Sequence, residues 1–367
     1  MTTTIEAPTW AGPQLRGMTP CGPLIPEIGI CLLGGRTQDP VRALEEVVEA
    51  EELGLSAVWI AERFDSKELA VLCSAMAART KHIRLGFGSI AVGSRNPVYT
   101  AATGTTFQGL FGDRLMMGLA RGLGAVLNNQ GMSVPTMAGY EDYIDILHAL
   151  FAGQTVDYDG PLGRFPHARL VDIPSAPRPT MWNSSWVPGP KALELTARKF
   201  DGLFLGTELT VEATRKIVDR ARHECRRIGR DPDSLHVANW CMISPDLPPE
   251  EEMLLINARM VTHLSFPGIG DRLVEENGWD RREMDEALGR KEISRDGIIA
   301  DQAYTREQLV AAGAALPREW IETGCIIGSA EHCAGRIREY LDAGVHHVVL
   351  HGASPAQVAP VLAHWAA

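Results

Sequence analysis

Two rhythms of apolar and polar positions take turns along this chain. A short apolar run, Ile28 to Leu33, ends in Gly34-Gly35. The period then changes: Leu44, Val47, Val48 and Leu53 share one helical face, opened by Pro40-Val41 and closed by Gly54. Proline in a first turn and glycine just past a last one are ordinary helix punctuation. The unit repeats. The apolar runs Ala57–Ala61, Ile83–Ser89, Arg114–Leu119, Thr180–Ser184, Gly202–Leu205, Leu235–Ile243 and His347–His351 read as strands. Helical periods follow most of them, at Lys67–Arg79, Val98–Leu110, Tyr140–Phe151, Lys191–Lys199 and Thr210–Ile228. Glu331–Ala343 is a helix before the last strand, and a short one follows Pro355.

Strands alternating with helices indicate βαβ units and a parallel sheet. With the first run there are eight strands, and eight such units predict closure into a (β/α)8 TIM barrel. An open doubly wound sheet is the competing architecture, weakened by the absence of GxGxxG after the first strand. The expected organisation is an N-terminal arm over residues 1–24 and one barrel domain over 25–367. Two stretches break the rhythm. Residues 152–179 hold a hairpin-like turn, Val156 to Gly160, and a Pro-rich end. Residues 244–325, between the seventh and eighth strands, are long, polar and mostly helical in pattern. A barrel insertion of that length is expected to cover the active-site mouth or form a subunit surface.

The net charge of -11 and the lack of a long basic run disfavour nucleic acid and anionic membranes as partners. Seven cysteines at irregular spacing, without CxxC, suggest neither a zinc site nor a disulfide framework, so no metal is expected. No apolar run is long enough to span a bilayer, and the N-terminus lacks a signal pattern. The expectation is a cytoplasmic protein acting on a small molecule.

In a parallel barrel, chemistry sits at the C-terminal ends of the strands. That rule selects Glu62 and Arg63 after strand two, Gly88 and Ser89 at strand three, and Arg121, Gly122 and Asn128 after strand four. It also selects Asn183, Ser184, Ser185 and Gly189 after strand five, and His351 after strand eight. Ser184 to Gly189 precede a helix, whose free N–H groups attract phosphate. Gly122 allows close backbone approach to a ligand, and Arg121 supplies a permanent charge. An ordinary βα turn would use the same residues for geometry alone. Glu62 and Arg63 could equally pair with each other at the rim. His351 is the histidine best placed as acid or base. His346 and His347 begin their strand and belong to the opposite, stabilising face. Trp182, Trp186 and Trp240 could stack on a flat ring or simply fill the core.

The ordered motifs resemble the bacterial luciferase-like monooxygenase family, nearest its predicted coenzyme F420-dependent oxidoreductases of actinobacteria. The resemblance runs from Ile28 to His351. It rests on Ala50 to Gly54 followed by Ser56-Ala57-Val58-Trp59-Ile60-Ala61-Glu62, on Ile83 to Gly86, and on Gly112 to Gly122. Pro179 to Lys191 with Asp201-Gly202, and Gly328 to Glu331 with Ala343-Gly344-Val345, complete it. It implies a deazaflavin, F420, or else FMN, lying over the strand ends. Glu62, Gly88 and Ser89 would touch the ring, and the Gly88–Ser89 bond would be cis. Arg121, Gly122, Asn128, Asn183, Ser184, Ser185 and Gly189 would meet the tail, with Arg63 and His351 toward the substrate. A homodimer is typical of the relatives. Where F420-dependent sugar-phosphate dehydrogenases carry Asp-His, this chain has Glu62-Arg63, and their glutamate after strand four falls near Leu123. That specific activity is not expected. Hydride transfer between F420 and an organic substrate leads. The alternatives are an FMN-dependent monooxygenase fed by a separate reductase, and a non-catalytic cofactor-binding barrel.

Overall fold

Strands with both faces covered need apolar residues at successive positions, and these short runs provide them. In the computed structural model, which describes residues 25–32, 39–63, 67–266, 268–289, 293 and 299–366, the runs become parallel strands. The strands are β1 Ile25–Leu32, β2 Leu55–Ile60, β3 Arg84–Ala91, β4 Leu115–Ala120, β5 Val156–Gly160, β6 Gly163–Ala168, β7 Thr180–Ser184, β8 Gly202–Leu205, β9 His236–Pro245, β10 Ile326–Gly328 and β11 His347–His351. Eight of them pair in the order β9-β11-β1-β2-β3-β4-β7-β8, and a further β8–β9 ladder closes the ring. The expected (β/α)8 barrel therefore forms. The arm expected over residues 1–24 lies outside the described residues, as do Gly34 to Arg36, Phe64 and Asp65.

The helices are α1 Arg42–Glu52, α2 Leu69–Ala77, α3 Pro97–Phe111, α4 Gly124–Asn129, α5 Met137–Phe151, α6 Pro190–Lys199 and α7 Val211–Arg227. The insertion adds α8 Pro249–Glu252, α9 Ala258–Leu264, α10 Ile269–Asn277, α11 Arg281–Gly289, α12 Ala300–Ala303, α13 Arg306–Gly313 and α14 Arg318–Gly324. The chain ends with α15 Ala330–Asp342 and α16 Pro355–Ala366. A π-helical turn, Met253–Asn257, joins α8 to α9, so the expected helix across 250–264 is present with one wider turn.

Three elements differ from the sequence reading. The region 152–179 holds a full antiparallel hairpin, β5–β6, rather than a turn alone. The Gly-rich stretch after β4 contains the short helix α4. The insertion carries a strand, β10, paired parallel to the far end of β9 with Ile326 opposite Ile243. Three residues are too few to show a period.

The barrel interior is an aromatic column. At the N-terminal end of the strands Trp182 meets His236 and His347 edge-on, at 6.5 and 6.2 Å between centroids. Above it Trp59 packs edge-on to Trp182 at 5.8 Å and against Phe204 at 4.2 Å. Phe204 reaches Trp240 at 5.0 Å, and Trp240 stacks on His351 at 5.4 Å with 8° between planes. Glycines make room for these rings: a Cβ on Gly86 would sit 2.2 Å from the Trp59 indole. Trp182 thus fills the base of the core, far from the rim where ring stacking had been considered.

Candidate active site at the C-terminal rim

The site begins where β2 ends. The Glu62 side chain is almost fully buried, and both oxygens are taken. Arg95 donates to Oε1 at 2.7 and 3.2 Å, and the Ala91 N–H donates to Oε2 at 2.8 Å. Arg95 also reaches Glu68, which caps α2 through the Val71 N–H. Burial raises the Glu62 pKa despite the pull of Arg95. The pairing of Glu62 with Arg63 considered from the sequence does not occur. Arg63 turns instead to the insertion, where its Nη1 and Nη2 donate to Asp301 of α12 at 3.2 and 3.3 Å. Successive rim residues leave the strand in different directions, so adjacent opposite charges find other partners.

Arg259 of α9 donates to the same Asp301 Oδ2 at 3.2 Å. Burial works against the Asp301 charge, yet the two arginines hold its carboxyl below the usual range. Lys67 is nearby: burial, with some repulsion from Arg63 and Arg259, brings its ammonium down to about 8. Cys31 at the end of β1 is fully buried, which pushes its thiol up to about 12. Asp301 and Arg259 thus bring part of the insertion against the end of β2.

His351 closes the aromatic column. Burial, helped by Arg259, His263 and Lys67, holds its pKa far below the ordinary histidine range. Burial therefore disfavours the charged form of the ring. Its Nδ1 and the Trp240 Nε1 are both buried without a partner. Beside them the β3–β4 register shifts between Phe87 and Ile90, and the Gly88–Ser89 peptide is cis. A Cβ on Gly88 would lie 3.1 Å from the Trp240 ring. Contacts thus link Gly88, Trp240 and His351. Ser89 lies on the β4 side, where a Cβ on Gly118 would approach its own Cβ at 3.3 Å.

The second group lies along the β4 and β7 loops, which adjoin because Leu119 pairs with Asn183. Gly122 has φ +89°, a backbone that favours glycine, and Arg121 beside it is exposed. Asn128 is exposed at the end of α4, so it stands on a helix rather than in an open loop. The Asn183 side chain is committed to the fold: its Oδ1 accepts from Tyr140 at 2.9 Å and its Nδ2 donates to Thr196 at 2.6 Å. Ser184 and Ser185 are half-buried, and the Ser185 N–H donates to the Phe204 carbonyl. Gly189 caps α6 with no side chain, and a Cβ there would meet nothing within 4 Å. The N-terminus of this ten-residue helix has no side-chain cap; Pro190 brings no N–H, and the Ala192 and Leu193 N–H groups donate to the Gly189 carbonyl.

Sequence reading missed four groups. Arg259 and His263 stand four residues apart on α9, among apolar neighbours, a spacing that places them on one buried face. Asp301 and Glu208 carried no such signal. His263 Nδ1 lies 2.8 Å from Glu208 Oε1 and 2.9 Å from the Thr207 hydroxyl, which also bonds Glu208. This fully buried knot ties α9 to the loop after β8. Trp186 packs its ring on His263 at 4.6 Å and on Phe266, so it supports the insertion.

Comparison with known proteins follows the same lines. The chain is 25% identical over 316 residues to a 5,10-methylenetetrahydromethanopterin reductase of Methanolobus tindarius, covering 85% of this chain and 90% of that one. It is 26% identical over 331 residues to an F420-dependent glucose-6-phosphate dehydrogenase of Nocardia farcinica, covering 85% and 88%. The solved structure of the coenzyme F420-dependent tetrahydromethanopterin reductase of Methanopyrus kandleri superposes with a TM-score of 0.74 at 18% identity, covering 92% and 97%. The sequence profile of the luciferase-like monooxygenases matches residues 27–347, so this chain belongs to that family and is an oxidoreductase.

Proposed function

We propose that this chain transfers a hydride between the deazaflavin coenzyme F420 and a small organic substrate at the rim of its barrel. The observation that carries the reading is the break in the β3–β4 ladder at Gly88–Ser89. It lies beside Trp240, in a chain whose relatives include enzymes named for F420. F420 would supply the hydride chemistry, and the protein would orient it and exclude water.

The residues present suit such a group. Gly88 and Ser89 offer backbone without bulk for a flat ring. The Trp240 N–H and His351 Nδ1 are buried polar atoms that lack a partner in the fold, which a bound molecule would satisfy. The uncapped N-terminus of α6, with Ser184 and Ser185 before it, suits a phosphate. Gly122 admits the tail closely, and Arg121 adds charge. Glu62 acts here by fixing Arg95 and the end of β3, and Arg63 and His351 border the substrate space.

The test is anaerobic mixing of the protein with F420 and panels of alcohols, or with reduced F420 and panels of carbonyls and imines. Substrate-dependent change in the deazaflavin absorbance is expected. Oxygen uptake with reduced FMN, and no turnover with F420, would contradict the reading.

A further inference from the structure

Among the described residues, two arginines converge on a single carboxylate at the rim after β2. Both Asp301 oxygens are occupied by Arg63, and Arg259 shares Oδ2. The Arg63 and Arg259 side chains are only 11% and 20% exposed. The Arg63 Nε is buried and has no partner. Lys67 adds a third positive group within electrostatic reach of both arginines. Among the described residues, Glu62 is used by Arg95 and Ala91, and Glu208 by Thr207 and His263. Among the described residues, two partly buried guanidinium groups share one carboxylate. Charges removed from water are costly unless paired, so such a cluster favours a further anion.

We propose that the substrate carries an oxyanion, a carboxylate or a phosphate, clamped by Arg63 and Arg259; the substrate part rests on the hydride-transfer reading. A guanidinium presents several N–H donors in one plane, which matches an oxyanion held by two bonds. Asp301 fixes the two forks side by side, so they are aligned before the ligand arrives. Arg63 joins the rim to β2, and Arg259 joins it to the insertion helix. Anion binding therefore also secures this part of the insertion against the end of β2. His351, stacked on Trp240 at the mouth of the column with its Nδ1 unpartnered, is placed to hydrogen-bond the uncharged part of the same molecule. The cofactor is itself anionic, but the uncapped α6 N-terminus and Arg121 lie on the β4 and β7 side and serve that charge.

The experiment is calorimetric titration with inorganic phosphate and with malonate, at ionic strength held constant by potassium chloride, on apo protein and on protein saturated with F420. Both probes are expected to bind the loaded protein. R259Q should weaken that binding about tenfold or more and leave F420 affinity within about twofold. D301N, which keeps the side chain's shape and one accepting oxygen between the forks but removes the competing negative charge, should tighten it. If R259Q does not fold, R63K and R259K keep the charge, lose the fork and should weaken both probes. Absence of binding to the loaded wild type, or binding indifferent to these substitutions, overturns the proposal. Loss of F420 affinity in R259Q together with exclusion of phosphate by F420 would assign the anion to the cofactor, and also overturns it. Arginine-dependent phosphate binding in a protein that ignores F420 would instead keep the anion site and remove the hydride-transfer reading.

Discussion

Arg63 and Asp301 meet through two hydrogen bonds although 238 residues of chain separate them. The contact pins α12 of the insertion to the end of β2. Replacing Asp301 with alanine leaves two partly buried arginines facing each other. A loss of about 3 kcal/mol is expected from breaking a buried pair. Urea denaturation of D301A measures it, and added phosphate should recover part of the loss.

A second prediction concerns room inside the barrel. The missing Cβ of Gly86 is what lets the Trp59 indole lie across β3. G86A places a methyl group 2.2 Å from that ring. Overpacking of this kind costs roughly 1–3 kcal/mol. Thermal melts should show the drop, and adding W59L to G86A should return part of it.

The base of the barrel makes the fold sensitive to acid. His236 is held down to about 4 by burial, then by His346 and Arg84. His347 is held down to about 3 by burial, then by His236, His346 and Arg84. Both are depressed below the unfolded value of about 6.5. The unfolded chain therefore takes up protons first, and the stability tied to these neutral rings is present above pH ~6.5. It is lost progressively as pH falls from there through about 4 and about 3. Melting temperature measured from pH 7.5 to 4 should fall steeply below 6.5, and H347Q should flatten the slope.

The tail contacts proposed for the β4 and β7 side give a fourth prediction. R121Q should weaken F420 binding about tenfold, with a smaller dependence on salt than in the wild type. The Asn183 amide is already bonded to Tyr140 and Thr196. N183A should therefore lower stability more than cofactor affinity, which parallel melts and fluorescence titrations would separate.

The barrel was legible because each strand–helix unit writes its own period: Thr180–Ser184, Gly202–Leu205 and His347–His351 fall on the strand limits read from the sequence. Parallel order then follows from alternation. What stayed hidden depended on long-range pairing. Glu62 beside Arg63 looked like a local pair, yet their partners are Arg95 and Asp301, and only the folded insertion brings Asp301 near. The spacing of Arg259 and His263 marked one helix face, but nothing in the chain said which rim that face would meet. Asn183 has the residue type of a ligand contact, and its commitment to α6 depends on Tyr140 and Thr196 arriving from two other elements. Trp182 and Trp240 read alike as strand aromatics. Their depths differ because one faces the base of the column and the other its mouth.

Fluorescence titration of the apo protein with F420 and, separately, with FMN shows whether this rim receives a deazaflavin. Saturable F420 binding is expected, weakened when Gly88 is replaced by valine, a side chain that would crowd the Trp240 ring. Tight binding of FMN with none of F420 would contradict that expectation.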